Sequence, residues 1–186
     1  KFLPIQTHHA PHAAGKLFMS RPMKAKQEKY FREKLTEPYA AIGNFKWTVG
    51  TSYAFLVDWF NGPDTIRLYI QTSASRSPNG LPPAAELKKK KVDLVILCYA
   101  STPNVRKYPE YLMDALKKDG YPKILMVHWE DFFTDQAAYG PAQLVRGTSP
   151  RTVVKRWKKA LNVEDNASLT NYITMPRPGT MVTIKY

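Results

Sequence analysis

The sequence predicts an α/β fold, a mixed β-sheet with flanking helices, and three observations carry the prediction. Val92 to Ala100 is an almost unbroken apolar run, and Ile124 to Val127 is a second one. Between them Tyr108, Tyr111, Leu112, Ala115 and Leu116 recur at helical spacing, which makes a β-α-β unit with the usual right-handed crossover. Ahead of it, Thr51 to Phe60 and Thr65 to Thr72 flank the turn Asn61-Gly-Pro-Asp and read as a β-hairpin.

Taken in order, Lys1 to Gln6 already reads as strand. The chain opens without Met, which fits either a processed N-terminus or a missing upstream part. Residues 16–50 are less regular. Met23 to Leu35 is strongly charged with only Tyr30, Phe31 and Leu35 as a thin apolar stripe, and Pro38 and Gly43 break the stretch after it. We read 16–50 as a surface insertion or lid, and residues 1–186 as a single domain or a C-terminal half-domain. In the hairpin, Ile66, Leu68 and Ile70 alternate with Arg67, Tyr69 and Gln71. Pro78 to Pro83 is a Gly/Pro-rich loop. Val92 to Ala100 is apolar enough to be covered on both faces, and Gly120 suits a helix C-terminus.

Ser149 is an N-cap with Pro150 at the first helical position. In the helix they open, Val153, Val154, Trp157, Ala160 and Leu161 face inward, while Arg151, Lys155, Arg156, Lys158 and Lys159 face out. Asn171 to Ile173 and Thr180 to Ile184 are short β-like segments around Pro176-Arg-Pro-Gly.

With 186 residues, 44% of them hydrophobic, the chain can bury a sizeable core and is not disordered in composition. No apolar run approaches the roughly 20 residues of a bilayer span, so the expectation is a soluble protein without a transmembrane segment, cytoplasmic or periplasmic. Cys98 is alone in a buried strand and reads as a core thiol. Lys and Arg total 28 against 15 Asp and Glu, a formal charge of +13 gathered in Lys16 to Lys34, Lys88 to Lys91 and Arg151 to Lys159. A surface this basic is either a solubilising face or a nucleic-acid contact. Lys88 to Lys91, just before a buried strand, reads as a loop.

Two places carry chemistry. Thr7-His-His-Ala-Pro-His12 holds three of the four histidines of the chain, a metal-ligand pattern at a strand-to-loop junction. His128, Trp129, Glu130 and Asp131 stand at the end of the second apolar run, where α/β sheets gather ligands.

The order of these parts resembles the C-terminal half of the metallo-β-lactamase fold, an αββα sandwich, over nearly the whole chain. Val127-His-Trp-Glu-Asp-Phe-Phe133, preceded by Tyr108-Pro-Glu-Tyr-Leu, is similar to uncharacterised bacterial metal-dependent hydrolases of that superfamily. The resemblance implies metal ligands at a His after a strand, an acidic residue after the next hairpin and a late His at a strand end. His9 matches the first, with His12 as competitor, and His128 matches the last. Thr72 and Ser73 stand where the acidic ligand belongs. Asp131 or Glu130 would orient a ligand imidazole. The implied cofactor is zinc, one or two ions, and the implied activity is attack of a metal-activated water on an ester, lactone, amide or phosphoester of a small-molecule substrate.

The His-x-His-x-Asp-His motif of the superfamily's N-terminal half is not in this chain. One of the two sheets would therefore be left bare, to be covered by an N-terminal half or a second chain. The other readings are a metal-free relative acting as a binding or structural protein, and a basic protein that binds or processes nucleic acid.

Overall fold

The order of the strands in space is their order in the chain. β1 (Phe2–Thr7), β2 (Ser52–Asn61), β3 (Asp64–Gln71), β4 (Leu94–Cys98), β5 (Lys123–Val127) and β6 (Ile173–Thr174) form one sheet in the sequence β1-β2-β3-β4-β5-β6. The first two pairings are antiparallel and the last three parallel. This is the mixed α/β sheet the sequence predicts. It is taken from a computed structural model that describes residues 1–7, 52–71, 73, 80–99, 105, 107–129, 144, 149–177 and 179–185. The segment 16–50, read as an insertion or lid, lies outside the described residues.

Helices α1 (Ala84–Lys89), α2 (Tyr108–Leu116), α3 (Pro150–Leu161) and α4 (Asn166–Thr170) lie in the connections between the parallel strands. Crossovers that all step in one direction across a sheet with one hand put their helices on one face. The core agrees. Leu56, Tyr69, Val95, Leu97, Ile124 and Met126 pack in one cluster with Leu112, Leu116, Val153, Trp157, Leu161 and Leu169, and with Leu87 at its margin. α3 starts as expected: Ser149 Oγ accepts from the Thr152 amide and Pro150 is the first helical residue.

Some expectations are corrected. Lys88 and Lys89 are the last turn of α1 rather than a loop, and Lys118 Nζ donates to the Lys88 carbonyl at 2.7 Å, satisfying an end of that helix. α4 was not foreseen; Asp165 caps it through the Ser168 amide at 2.7 Å. α2 ends at Leu116, so Gly120 (φ +110°) serves the following turn rather than the helix terminus. The last strand is Ile173–Thr174, and 180–184 carry no strand because no neighbouring strand pairs with them.

The two faces of the sheet differ in a way the sequence pattern alone did not reveal. Arg67, Tyr69 and Gln71, the polar set of β3, are the ones buried under the helices. Ile66, Leu68 and Ile70 look to the other side and stay half-buried. Their cross-strand partners are Trp59, Val57 and Phe55 on one side, and Leu68 and Ile70 also meet Leu94 and Ile96 on the other. Leu125 and Val127 continue the same face on β5. Phe2 stacks on Phe55 at 4.9 Å between ring centroids, yet Phe2 is 62% and Trp59 60% exposed. Among the described residues no helix packs on this apolar face.

The polar set survives burial because it is bonded. Arg67 forks onto Asp58, Nε to Oδ1 at 2.6 Å and Nη2 to Oδ2 at 2.9 Å. Its Nη1 donates to the carbonyls of Glu86 and Lys90 at 2.7 and 2.9 Å, so one side chain ties the C-terminus of α1 to the sheet. Its amide donates to Asp93 Oδ2 at 2.7 Å. The four guanidinium bonds offset the desolvation of a side chain whose residue is 3% exposed.

Candidate functional site

The strand directions bring the C-termini of β1, β3, β4 and β5 to one edge of the sheet, namely Thr7, Gln71, Cys98 and Val127. The longer connections leave from this edge: residues 8–51, 72–83, 99–107 and 128–149. The opposite edge has the tight ones, such as Gly62 with φ +61° between β2 and β3, and 90–93 before β4. Long connections at the carboxyl ends of strands are where α/β proteins place function. Yet the parallel strands never reverse their order, so this sheet has no switch-point crevice of its own.

The described part of this edge is a buried hydrogen-bonded cluster. Gln71, 0% exposed, ends β3, and its Oε1 accepts from the Tyr108 hydroxyl of α2 at 2.8 Å. Tyr69 Oη donates to the Gly80 carbonyl at 2.6 Å. Burial pushes both phenols up, Tyr108 well above its ordinary value, so each stays a neutral donor. Gly80 (φ +76°) closes over the cluster, and a Cβ there would lie 2.4 Å from Thr7 Oγ1 and 3.1 Å from Gln71 Nε2. Only glycine fits both that φ and that approach. Gln71 Nε2 is buried without an acceptor among the described residues.

On the far side of the edge, His128 follows β5 with φ +58°, a left-handed conformation that bends the chain sharply as it leaves the sheet. Its side chain is exposed. Trp129 turns back inward, 3% exposed, and its indole donates to the Pro176 carbonyl at 2.9 Å, so it is a packing residue. Tyr99 is also buried in the core, and Cys98 is a buried thiol outside any disulfide, as the sequence reading expects of Cys98.

Of the residues singled out from the sequence, His128 and Ser73 are described, and both lie at the carboxyl ends of strands; Ser73 is buried. His9, His12, Thr72, Glu130 and Asp131 lie outside the described residues. Sequence reasoning missed Gln71, Tyr108 and Gly80. Gln71 looked like the solvent side of an alternating strand and Tyr108 like part of an apolar stripe. Gly80 carried a signal, an isolated glycine in the Gly/Pro-rich loop that a close backbone approach would explain.

Among the described residues no three His, Cys, Asp or Glu gather as a metal group. Thr7, Gln71 and Ser73 offer hydroxyls and an amide, which zinc uses little in place of imidazole, thiolate or carboxylate. Of the histidines that the resemblance assigns to zinc, His128 is described at this edge, and His9 and His12 lie outside the described residues. No described helix is long and apolar enough to cross a membrane. No family model, curated protein or solved structure matches this chain.

Proposed function

We propose that the chain is one layer-pair of an αββα sandwich, the C-terminal half of a metallo-β-lactamase-type hydrolase, completed by a second β-layer on its apolar face. The observation that carries the reading is the inverted alternation of β3, with Arg67, Tyr69 and Gln71 under the helices and Ile66, Leu68 and Ile70 turned away from them. A strand with apolar residues on its uncovered side asks for another apolar layer there. The carboxyl edge, with His128 at its end, then becomes one wall of a cleft between two sheets. That geometry supplies the crevice that this strand order lacks.

His128 is the residue of this wall that we assign to a metal centre. The left-handed backbone at His128 supports the assignment, because strained conformations collect at functional sites. Zinc in such a centre would supply a hydroxide for attack on an ester, lactone, amide or phosphoester. His9 or His12 would complete this chain's share of the ligands, and Glu130 or Asp131 would orient an imidazole.

A second reading has its own support. The edge is built from amide, phenol and hydroxyl groups at Gln71, Tyr108 and Ser73, which suits a metal-free relative that binds rather than hydrolyses.

The test is metal content and hydrolysis of an ester, lactone and phosphodiester panel by the full protein, assembled with its second layer, against His128→Ala. Bound zinc and turnover, both reduced at least tenfold by the substitution, support the hydrolase. A metal-free, inactive but assembled protein supports the binding relative. A chain that stays monomeric with an inert apolar face removes both readings.

A further inference from the structure

The outer side of α3 carries charge that its own helix does not balance. Arg151, Lys155, Arg156, Lys158 and Lys159 are its ionisable residues, and no acidic residue lies between Pro150 and Leu161. Arg151–Lys155 and Lys155–Lys159 are like-charge pairs at i,i+4, which weaken a helix. Arg151 also sits in the first turn, where the dipole disfavours a cation. Lys159 reaches Glu110 of α2 at 3.7 Å, while Arg151, Lys155 and Lys158 form no ion pair with a described carboxylate. The opposite side of the helix is fixed, since Val153, Trp157 and Leu161 are buried in the core.

We propose that this ridge, Arg151, Lys155 and Lys158, binds the phosphate backbone of a nucleic acid without reading its sequence. The cations recur at about one helical turn, roughly 5.4 Å, along one line. A regularly charged polyanion matches such a line and relieves the repulsion within it. The exposed positions from Arg151 to Lys159 are Arg151, Thr152, Lys155 and Lys159, so no exposed apolar side chain makes the centre of a protein interface there. A bilayer is the poorer partner, because the apolar side of α3 is already used in the core and nothing remains to insert. Because α3 lies on the helix-covered face, this binding is independent of the hydrolase reading.

The experiment is fluorescence anisotropy of a labelled oligothymidylate with the full chain, from about 50 to about 200 mM salt. Arg151→Gln/Lys155→Gln/Lys158→Gln is compared with Lys88→Gln/Lys91→Gln/Lys117→Gln, which removes the same charge at exposed lysines elsewhere. The α3 variant is expected to lose most of the affinity and to make the salt slope shallower by about 2, at about 0.7 per phosphate contact. The control variant is expected to keep the slope of the unaltered protein. Circular dichroism checks that both variants stay folded, and removing like charges should not unfold α3. Equal losses in the two variants, or no binding by the unaltered protein at low salt, overturn the proposal. So does an α3 variant that loses binding to phosphatidylserine vesicles but not to the oligonucleotide.

Discussion

The Tyr108 hydroxyl on α2 donates to Gln71 Oε1 at the last position of β3, 2.8 Å away, with both side chains at 0% exposure. One bond thus fixes a helix to the edge from which the longer connections leave. Tyr108→Phe removes the donor and leaves a buried amide with neither end satisfied, at a cost of about 1–3 kcal/mol. Adding Gln71→Leu to that variant should return a large part of the loss, because no buried polar group is then orphaned. Urea midpoints of the two variants and their parent check this.

Asp58 answers to acid. The hydrogen bond from Arg67 holds its carboxyl below the usual carboxylate range, with attraction from Arg67, Lys90 and Lys1 adding and burial opposing. A folded value below the unfolded one contributes stability that is fully present above about pH 4. That contribution is lost as the pH falls through the folded value. Urea midpoints from pH 7 downward should therefore fall below about pH 4 in the parent, and Asp58→Asn should flatten that part of the profile. At neutral pH the same substitution leaves a buried guanidinium without its counter-charge and should cost about 3–5 kcal/mol.

At His128 the backbone and the side chain can be tested apart. With φ +58°, His128→Gly removes the penalty of a Cβ in the left-handed region and should leave stability unchanged or raise it by up to about 1 kcal/mol. His128→Val puts a β-branched residue there and should lower it by about 1–3 kcal/mol. If the imidazole holds a metal, both variants lose that affinity despite their opposite effects on stability. Thermal unfolding with and without added zinc reads the two effects separately.

The open face should tolerate charge that the covered face does not. Leu68 is half-buried in the middle of β3, between Val57 and Leu94, whereas Leu97 on β4 is 0% exposed under the helices. Leu68→Lys should cost the chain alone less than about 1 kcal/mol, while reducing hydrophobic-dye binding and any association through this face. Leu97→Lys buries an unpaired ammonium and should prevent folding. Dye fluorescence and light scattering on both variants decide it.

The local physics was legible in the sequence where it is local. Ser149-Pro150 and the spacing of Val153, Trp157 and Leu161 announce α3, and the apolar runs around Val95 and Leu125 announce β4 and β5. Alternation in β3 fixes a period of two but not which side faces the helices. The buried side is the one with Arg67 and Gln71, and its cost is offset by Asp58 on a neighbouring strand and by Tyr108, 37 positions away. Asp58 lies nine positions before Arg67, across the hairpin, but no short window of sequence joins Gln71 to Tyr108. α1 was hidden because the run Lys88 to Lys91 outweighed the helix formers Ala84, Ala85 and Leu87 before it. For the site, a strand end at His128 could be read, but its left-handed turn could not.

Because strand order equals chain order, the sheet can be laid down as the chain is made. At every step the strand that a new one must join has already left the ribosome, and no strand has to be inserted between two others. Such accretion keeps the docking steps from β2 to β5 short-range, with longer excursions only at 8–51 and 128–172, a regime in which chains fold quickly. The same order exposes Phe55, Leu68 and Ile96 one strand at a time as a growing greasy surface. Whatever protects nascent chains from sticking to one another would have its work concentrated on that side of the molecule, from the hairpin onward.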